Sequence, residues 1–151
     1  MTTSVRSGGP REGEPLAPWR TAACLAWFTG LGFGLPGLYG TLYLARHGEV
    51  WSFLGFPTYG RGPFEKVGVT TTVPLLAGFV AVCGAETAVG NLLWRRRRAG
   101  AISSLALLPV EAAYWLGFAL PLGPVVGAAR TLAVLAARRS QRPGKALPGG
   151  G

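Results

Sequence analysis

Three ionisable residues, Glu86, Glu111 and Arg130, stand inside long apolar segments of this sequence. A lone charge in hydrocarbon costs at least about 2.5–3.5 kcal/mol, so such residues are expected to face the protein interior and to pair with one another. Two carboxylates and one guanidinium in this setting can carry protons for transport, perform acid–base chemistry on a lipid, or lock helices together. We call Glu86, Glu111 and Arg130 the buried-charge cluster.

Long apolar segments must position these side chains. The chain has 151 residues, of which 49% are hydrophobic and 14% charged, a composition typical of a single membrane domain. Residues 21–45 and 67–94 are each longer than the roughly 20 residues that cross a bilayer. Residues 99–137 are too long for one crossing, and Pro121 and Pro124 interrupt them. We therefore predict an all-α fold, a four-helix transmembrane bundle in up-down-up-down order.

The same segments set the expected boundaries. The four helices are predicted at about 21–45, 71–94, 100–120 and 122–138, with a long outer loop at 46–70. Residues 1–20 and 139–151 contain several prolines and glycines and are predicted to be disordered cytoplasmic tails.

The basic residues predict the orientation. Most of the 15 Lys and Arg residues lie near the N-terminus, in the 95–98 loop or near the C-terminus, and the positive-inside rule places that side in the cytoplasm. Arg95, Arg96, Arg97 and Arg98 then form a cytoplasmic flank. We predict a multi-pass plasma-membrane protein with both termini inside. Aromatic residues are expected at the two membrane edges, with Trp19 and Trp94 inside and Tyr39, Tyr43 and Trp51 outside.

Helical rise places the buried-charge cluster at one depth. Glu86 precedes Trp94 by about 12 Å of helix, and Arg130 precedes Arg138 by a similar length. Glu111 follows Ala101 by about 15 Å. Because the third and fourth helices are joined by a short turn, we predict that Arg130 pairs with Glu111 and that Glu86 is the third member.

Glycines at Gly32, Gly34 and Gly37 match the spacing G-x-G-x-x-G. A dinucleotide site needs a strand before these glycines and an acidic residue about 20 positions later. Here they lie inside an uncharged helical segment, where a turn would leave backbone groups unpaired in lipid. We predict no cofactor, and we assign Gly30 and Gly34, together with Gly123 and Gly127, to close helix packing.

The net charge of +9 does not indicate nucleic acid, because the basic residues flank apolar segments instead of forming one patch. Cys24 and Cys83 lie in separate apolar segments without a Cys-x-x-Cys spacing, and His47 is the single histidine. No metal site is predicted. Both cysteines are expected to serve as small apolar packing residues.

The outer loop is rich in aromatic residues interleaved with glycine and proline. This pattern is typical of a segment that lies at the lipid interface or caps the mouth of a bundle, and a structural cap is favoured over a substrate lid. The aromatic residues are Trp51, Phe53, Phe56, Tyr59 and Phe64.

The second predicted helix ends in Ala85-Glu-Thr-Ala-Val-Gly-Asn-Leu-Leu-Trp-Arg95 and continues to Ala99-Gly-Ala101. With the preceding aromatic loop, this order resembles the broad DoxX-like group of small four-helix membrane proteins over residues 21–120. The resemblance implies a four-helix bundle. It implies no particular activity, since the group has no uniform one.

Three hypotheses of function remain open. The first is a non-enzymatic accessory or assembly component that binds a membrane protein partner or a second copy of itself within the lipid bilayer. The second is a small transporter or proton-coupled permease that uses the buried-charge cluster. The third is a lipid-modifying enzyme in which Glu86 or Glu111 is the general acid or base.

Overall fold

The computed structural model describes residues 16–53, 56–57, 59 and 62–140. The described chain is almost entirely helical, which confirms the predicted all-α class. Its outer loop contains one small antiparallel hairpin, in which Ser52 pairs with Pro57 and Phe53 with Phe56. The elements in chain order are α1 (Leu16–His47), β1 (Ser52–Phe53), β2 (Phe56–Pro57), α2 (Pro63–Lys66), α3 (Val73–Trp94), α4 (Arg98–Gly117) and α5 (Leu122–Ser140).

Among the described helices, α1, α3 and α4 are long and apolar enough to cross a membrane. The chain is therefore compatible with an integral membrane protein that contacts a lipid bilayer. Helix α5 falls outside this group because its 19 residues include Arg130, Arg138 and Arg139.

Two helices extend into segments predicted as tails. Helix α1 begins at Leu16, so the prediction of disorder is wrong for residues 16–20, and residues 1–15 lie outside the described part. Helix α5 continues to Ser140, so the C-terminal prediction is wrong for residues 139–140, and residues 141–151 lie outside it. Basic residues in the last turn of α5 interact favourably with the negative end of the helix dipole.

The turn between α4 and α5 spans residues 118–121, so it includes Pro121 but begins three residues earlier than predicted, and Pro124 lies in the first turn of α5. Helix α4 ends at Gly117, Phe118 caps it, and Ala119 adopts a left-handed backbone with φ of +55°. The Leu120 N–H then donates to the Trp115 carbonyl over 2.7 Å, which satisfies one of the free carbonyls at the helix end.

Each long helix packs against two others. Helix α1 contacts α3 and α5, and both of these contact α4. The buried side chains form two clusters, one toward each end of the helices. The first contains Trp19, Ala22, Ala23, Ala26, Val89, Leu93, Ala101, Val134 and Ala137, and the second contains Tyr59, Leu76, Phe79, Cys83 and Phe118.

Trp19, expected at the inner membrane edge, is only 1% exposed and belongs to the first cluster. Because α1 begins earlier and α5 ends later than predicted, both helices reach the level of this indole and cover it. Trp94 is 46% exposed, and the Arg20 guanidinium lies over its ring at 5.2 Å. Tyr39 and Trp51 contact each other edge to face at 4.8 Å.

The glycines assigned to packing lie at close approaches between helices. A Cβ added at Gly30 would come within 2.8 Å of the Cys83 carbonyl oxygen, and one at Gly34 would meet the Cys83 Cβ at 3.0 Å. Added Cβ atoms at Gly123 and Gly127 would overlap the ring of Trp115. Gly32, by contrast, has open space where its Cβ would be.

We expect Gly30→Ala to lower the free energy of unfolding by about 1–3 kcal/mol, because the new methyl group meets backbone that cannot move aside. Gly32→Ala is the matched control on the same helix, and it should leave stability unchanged or slightly raised. Unfolding in mixed detergent micelles measures both variants. Equal effects at the two positions would contradict the assignment of Gly30 to helix packing.

Candidate functional site

The buried-charge cluster lies in the interior between the long helices. Glu86 comes from α3, Glu111 from α4 and Arg130 from α5, and the three residues are 2%, 1% and 1% exposed. Each stands on a stripe of buried residues along its helix, and glycines allow α1 to approach α3 and α5 to approach Trp115 of α4. The structure therefore brings together the three residues that the sequence placed at one depth.

Arg130 binds both carboxylates. Its Nη1 and Nη2 groups donate to Glu111 Oε1 at 3.2 Å and to Glu111 Oε2 at 2.5 Å, which makes a two-bond fork. Its Nη1 group also donates to Glu86 Oε1. Forked arginine–carboxylate pairs are among the stronger and more directional interactions in proteins, so α4 and α5 are held in a fixed register.

Helix α1 completes this set through a residue that the sequence analysis missed. The Thr29 hydroxyl donates to Glu86 Oε1, and the Leu25 and Ala26 carbonyl oxygens lie 3.0 and 3.2 Å from the same hydroxyl. Thr29 is 1% exposed. We call the buried-charge cluster together with Thr29 the polar network. It receives one side chain from each of the four long helices.

The polar network contains two carboxyl groups and one guanidinium. Removing charges from water is costly, and the attraction between opposite charges offsets that cost only when the pairing is complete. With both carboxylates ionised the network carries one excess negative charge, and one bound proton makes it neutral. Within the network, Arg130 Nε is buried without a hydrogen-bond partner in the described part of the chain, as is Ser104 Oγ on α4.

Aromatic side chains close the opposite end of the helices from the arginine-rich loop. Tyr59 of the outer loop is 4% exposed and packs edge to face on Phe118 at 5.1 Å and on Phe79 at 6.1 Å. Phe64 of α2 lies 5.2 Å from Phe118. We call Tyr59, Phe64, Phe79, Tyr114 and Phe118 the aromatic cap. The side chains of Phe53 and Phe56 lie outside the described residues.

The cap is held by the surface of α1 and by hydrogen bonds within the loop. Added Cβ atoms at Gly37 and Gly40 would lie 3.4 and 3.2 Å from Tyr59, so these glycines make room for its ring.

Burial, and then the nearby Cys83, raise the pKa of Tyr59 to about 12. Slight burial raises the pKa of Glu65, but hydrogen bonds from Thr71 and from the Gly62 N–H outweigh it and lower that pKa overall.

The four arginines between α3 and α4 form a tight connection. Arg95 caps α3, Arg96 has a left-handed backbone with φ of +53°, and Arg97 is the N-cap of α4. The Arg97 N–H donates to the Leu92 carbonyl over 3.0 Å. This connection brings the ends of α3 and α4 together without a long loop.

The two cysteines differ from each other. Cys83 is buried beside Gly34, whereas Cys24 is exposed on α1 and does not pack in the interior of the described structure. Across the described ranges, no three His, Cys, Asp or Glu side chains lie close enough together to hold a metal ion.

Comparisons of this chain with known protein families, with curated proteins and with solved structures found no match. Any proposal of its function therefore rests on the contacts, burial and charges of the chain itself.

Proposed function

We propose that this chain is an integral membrane protein of the plasma membrane whose four long helices form a transmembrane bundle with both termini in the cytoplasm. Its role is non-enzymatic, as an accessory or assembly component that binds a membrane protein partner or a second copy of itself. The observation that carries the proposal is the polar network. Every long helix contributes one side chain to this network. Its charged groups pair with one another and are buried away from the protein surface, as a structural lock requires.

The side chains of α5 support its place as a fourth span. Arg130 faces inward and is bound by two carboxylates, so it does not meet lipid. Leu122, Val125 and Leu132 are 57%, 66% and 68% exposed, so the outward face of α5 is apolar. The low mean hydropathy of α5 thus comes from Arg130, which lies inside the bundle, and from Arg138 and Arg139 at the helix end. A bundle of this kind is also what the resemblance to the DoxX-like group implies.

The outward face of α1 supports contact with lipid or with a membrane partner. Its exposed large apolar residues recur every three or four positions, which places them on one side of the helix. These residues are Phe28, Leu31, Leu35, Leu38 and Leu42.

Purification from the native membrane in a mild detergent, followed by mass spectrometry of the intact assembly, tests the proposed role. We expect the chain to migrate with a stoichiometric membrane protein or as a homo-oligomer. A monomer that carries a stoichiometric hydrophobic small molecule would contradict this role and favour transport.

The proposed orientation predicts a labelling pattern for single-cysteine variants built on Cys24→Ala/Cys83→Ala. We expect a membrane-impermeant thiol reagent outside intact cells to modify Glu49→Cys and Lys66→Cys. Arg97→Cys and Ser140→Cys should react only after the membrane is permeabilised. All four positions are exposed on the protein, so burial does not mask them. The reverse pattern would contradict the orientation.

The excess carboxyl group favours a second candidate, proton-coupled transport, because a network with two carboxyl groups and one guanidinium can take up and release a proton. This candidate predicts a proton flux into proteoliposomes that Glu86→Gln abolishes while the protein stays folded. The lock predicts that wild-type and variant vesicles leak protons no faster than vesicles without protein.

A further inference from the structure

A cavity of about 580 Å³ lies at the arginine-rich end of the helices. Its basic wall consists of Arg98 at the start of α4 and Arg138 and Arg139 in the last turn of α5. We call it the basic cavity. It is separate from the polar network, to which none of these three arginines contributes.

The basic residues of this cavity have no acidic partners in the described structure. The described carboxylates are Glu49 and Glu65 near the outer loop, and Glu86 and Glu111, which bind Arg130. Three cations therefore surround one cavity without a described counter-charge, an arrangement that favours an anion.

Two further groups at the cavity suit an anion. Helix α4 begins there, and its N-cap residue Arg97 makes no side-chain hydrogen bond to the first turn. The Gly100 N–H donates to the Arg97 carbonyl at 2.9 Å, which leaves the Arg98 and Ala99 N–H groups for a ligand in the described part of the chain. Trp19 lines the cavity and is 1% exposed, and its indole N–H has no hydrogen-bond partner among the described residues. A buried donor of this kind requires an acceptor.

The remaining walls are apolar. Ala101, Ile102 and Leu135 complete the lining with Trp19, and Ile102 and Leu135 are 59% and 38% exposed. The cavity therefore joins a cationic end to an apolar outer surface on the same helices. A phospholipid has this combination of groups, with an anionic phosphate joined to acyl chains, whereas free phosphate lacks the apolar part.

We propose that the basic cavity binds an anionic phospholipid, with its phosphate among Arg98, Arg138 and Arg139 and its acyl chains along Ile102 and Leu135. This inference rests on the proposed function, because a phospholipid reaches the cavity only when the helices stand in a bilayer. Pockets of basic residues between transmembrane helices suit the headgroups of anionic lipids.

The test uses the full chain in bilayers of phosphatidylglycerol and phosphatidylcholine with identical acyl chains, followed by native mass spectrometry of the released protein. We expect the wild-type protein to retain phosphatidylglycerol selectively. Arg98→Gln/Arg138→Gln/Arg139→Gln should lower that retention about tenfold or more. The control Arg95→Gln/Arg96→Gln/Arg97→Gln removes the same charge from the same end outside the cavity lining, and it should lower retention clearly less than the cavity variant does.

Equal losses in the two triple variants would show a diffuse charge effect and overturn the proposal, as would no loss in either. Added inorganic phosphate should not displace the lipid, and complete displacement would identify a soluble-anion site instead. Failure of the wild-type protein to insert into either bilayer would contradict the proposed function. Normal insertion without lipid selectivity would overturn the lipid site alone.

Discussion

We expect Glu86→Gln/Glu111→Gln to lower the free energy of unfolding by about 3–5 kcal/mol, which is the usual cost of leaving one partner of a buried ion pair uncompensated. Arginine cannot release its proton inside a protein, so Arg130 keeps its charge when both carboxylates are gone. Glutamine oxygens still accept hydrogen bonds from the guanidinium, but they supply no negative charge. Unfolding in mixed detergent micelles measures the loss.

Each single variant should lose much less, about 1 kcal/mol, because the remaining carboxylate still neutralises Arg130. Glu111→Gln should be the more harmful of the two, since Glu111 forms both bonds of the fork and Glu86 shares its oxygen with Thr29. Wild-type stability in the double variant would show that the buried charge of Arg130 does not need these carboxylates to neutralise it.

Tyr59→Ala should lower stability by about 3–5 kcal/mol, the range for deleting a buried aromatic ring. The ring is 4% exposed and fills the space between α1, Phe79 and Phe118, so its loss leaves a cavity in the aromatic cap. Tyr59→Phe is the matched control and keeps the ring contacts. Thermal unfolding in detergent measures both variants, and equal losses would assign the effect to the hydroxyl group instead of the ring.

The raised pKa of Tyr59 adds a pH dependence to the same comparison. Because the folded protein holds this proton up to about pH 12 and the unfolded chain releases it near 10, the stabilisation is complete below pH 10 and is lost as pH rises toward 12. Tyr59→Phe should remove this part of the alkaline loss of stability and the tyrosinate absorbance that develops near pH 12. Loss of the tyrosinate absorbance near pH 10 in Tyr59→Phe, instead of near pH 12, would contradict burial of Tyr59.

Much of the candidate site follows from helical geometry. Fixed rise per residue placed Glu86, Glu111 and Arg130 at one depth, and the cost of a charge in lipid turned them inward. Thr29 was missed because threonine is common in apolar helices and indicates no site by itself. Its depth could have identified it, because Thr29 lies about 15 Å along α1 from Trp19 and is therefore level with the buried-charge cluster.

Helix ends were harder to predict because side-chain contacts between helices decide them. Arg20 ended the uncharged segment and so marked the predicted start of α1, yet its guanidinium rests on Trp94, and the helix continues to Leu16. Trp19 looked like an interfacial anchor by type and position. Its burial depends on the last turn of α5, which no local pattern near Trp19 reveals.

The central claim, that the polar network locks the helices together, is tested most directly by the unfolding free energy of Glu86→Gln/Glu111→Gln/Arg130→Met compared with that of Glu86→Gln/Glu111→Gln. Removing the stranded arginine should restore at least half of the stability that the double variant loses, because the three neutral side chains leave no unpaired charge. A triple variant less stable than the double variant would contradict the lock, since it would show that Arg130 stabilises the protein without its carboxylates.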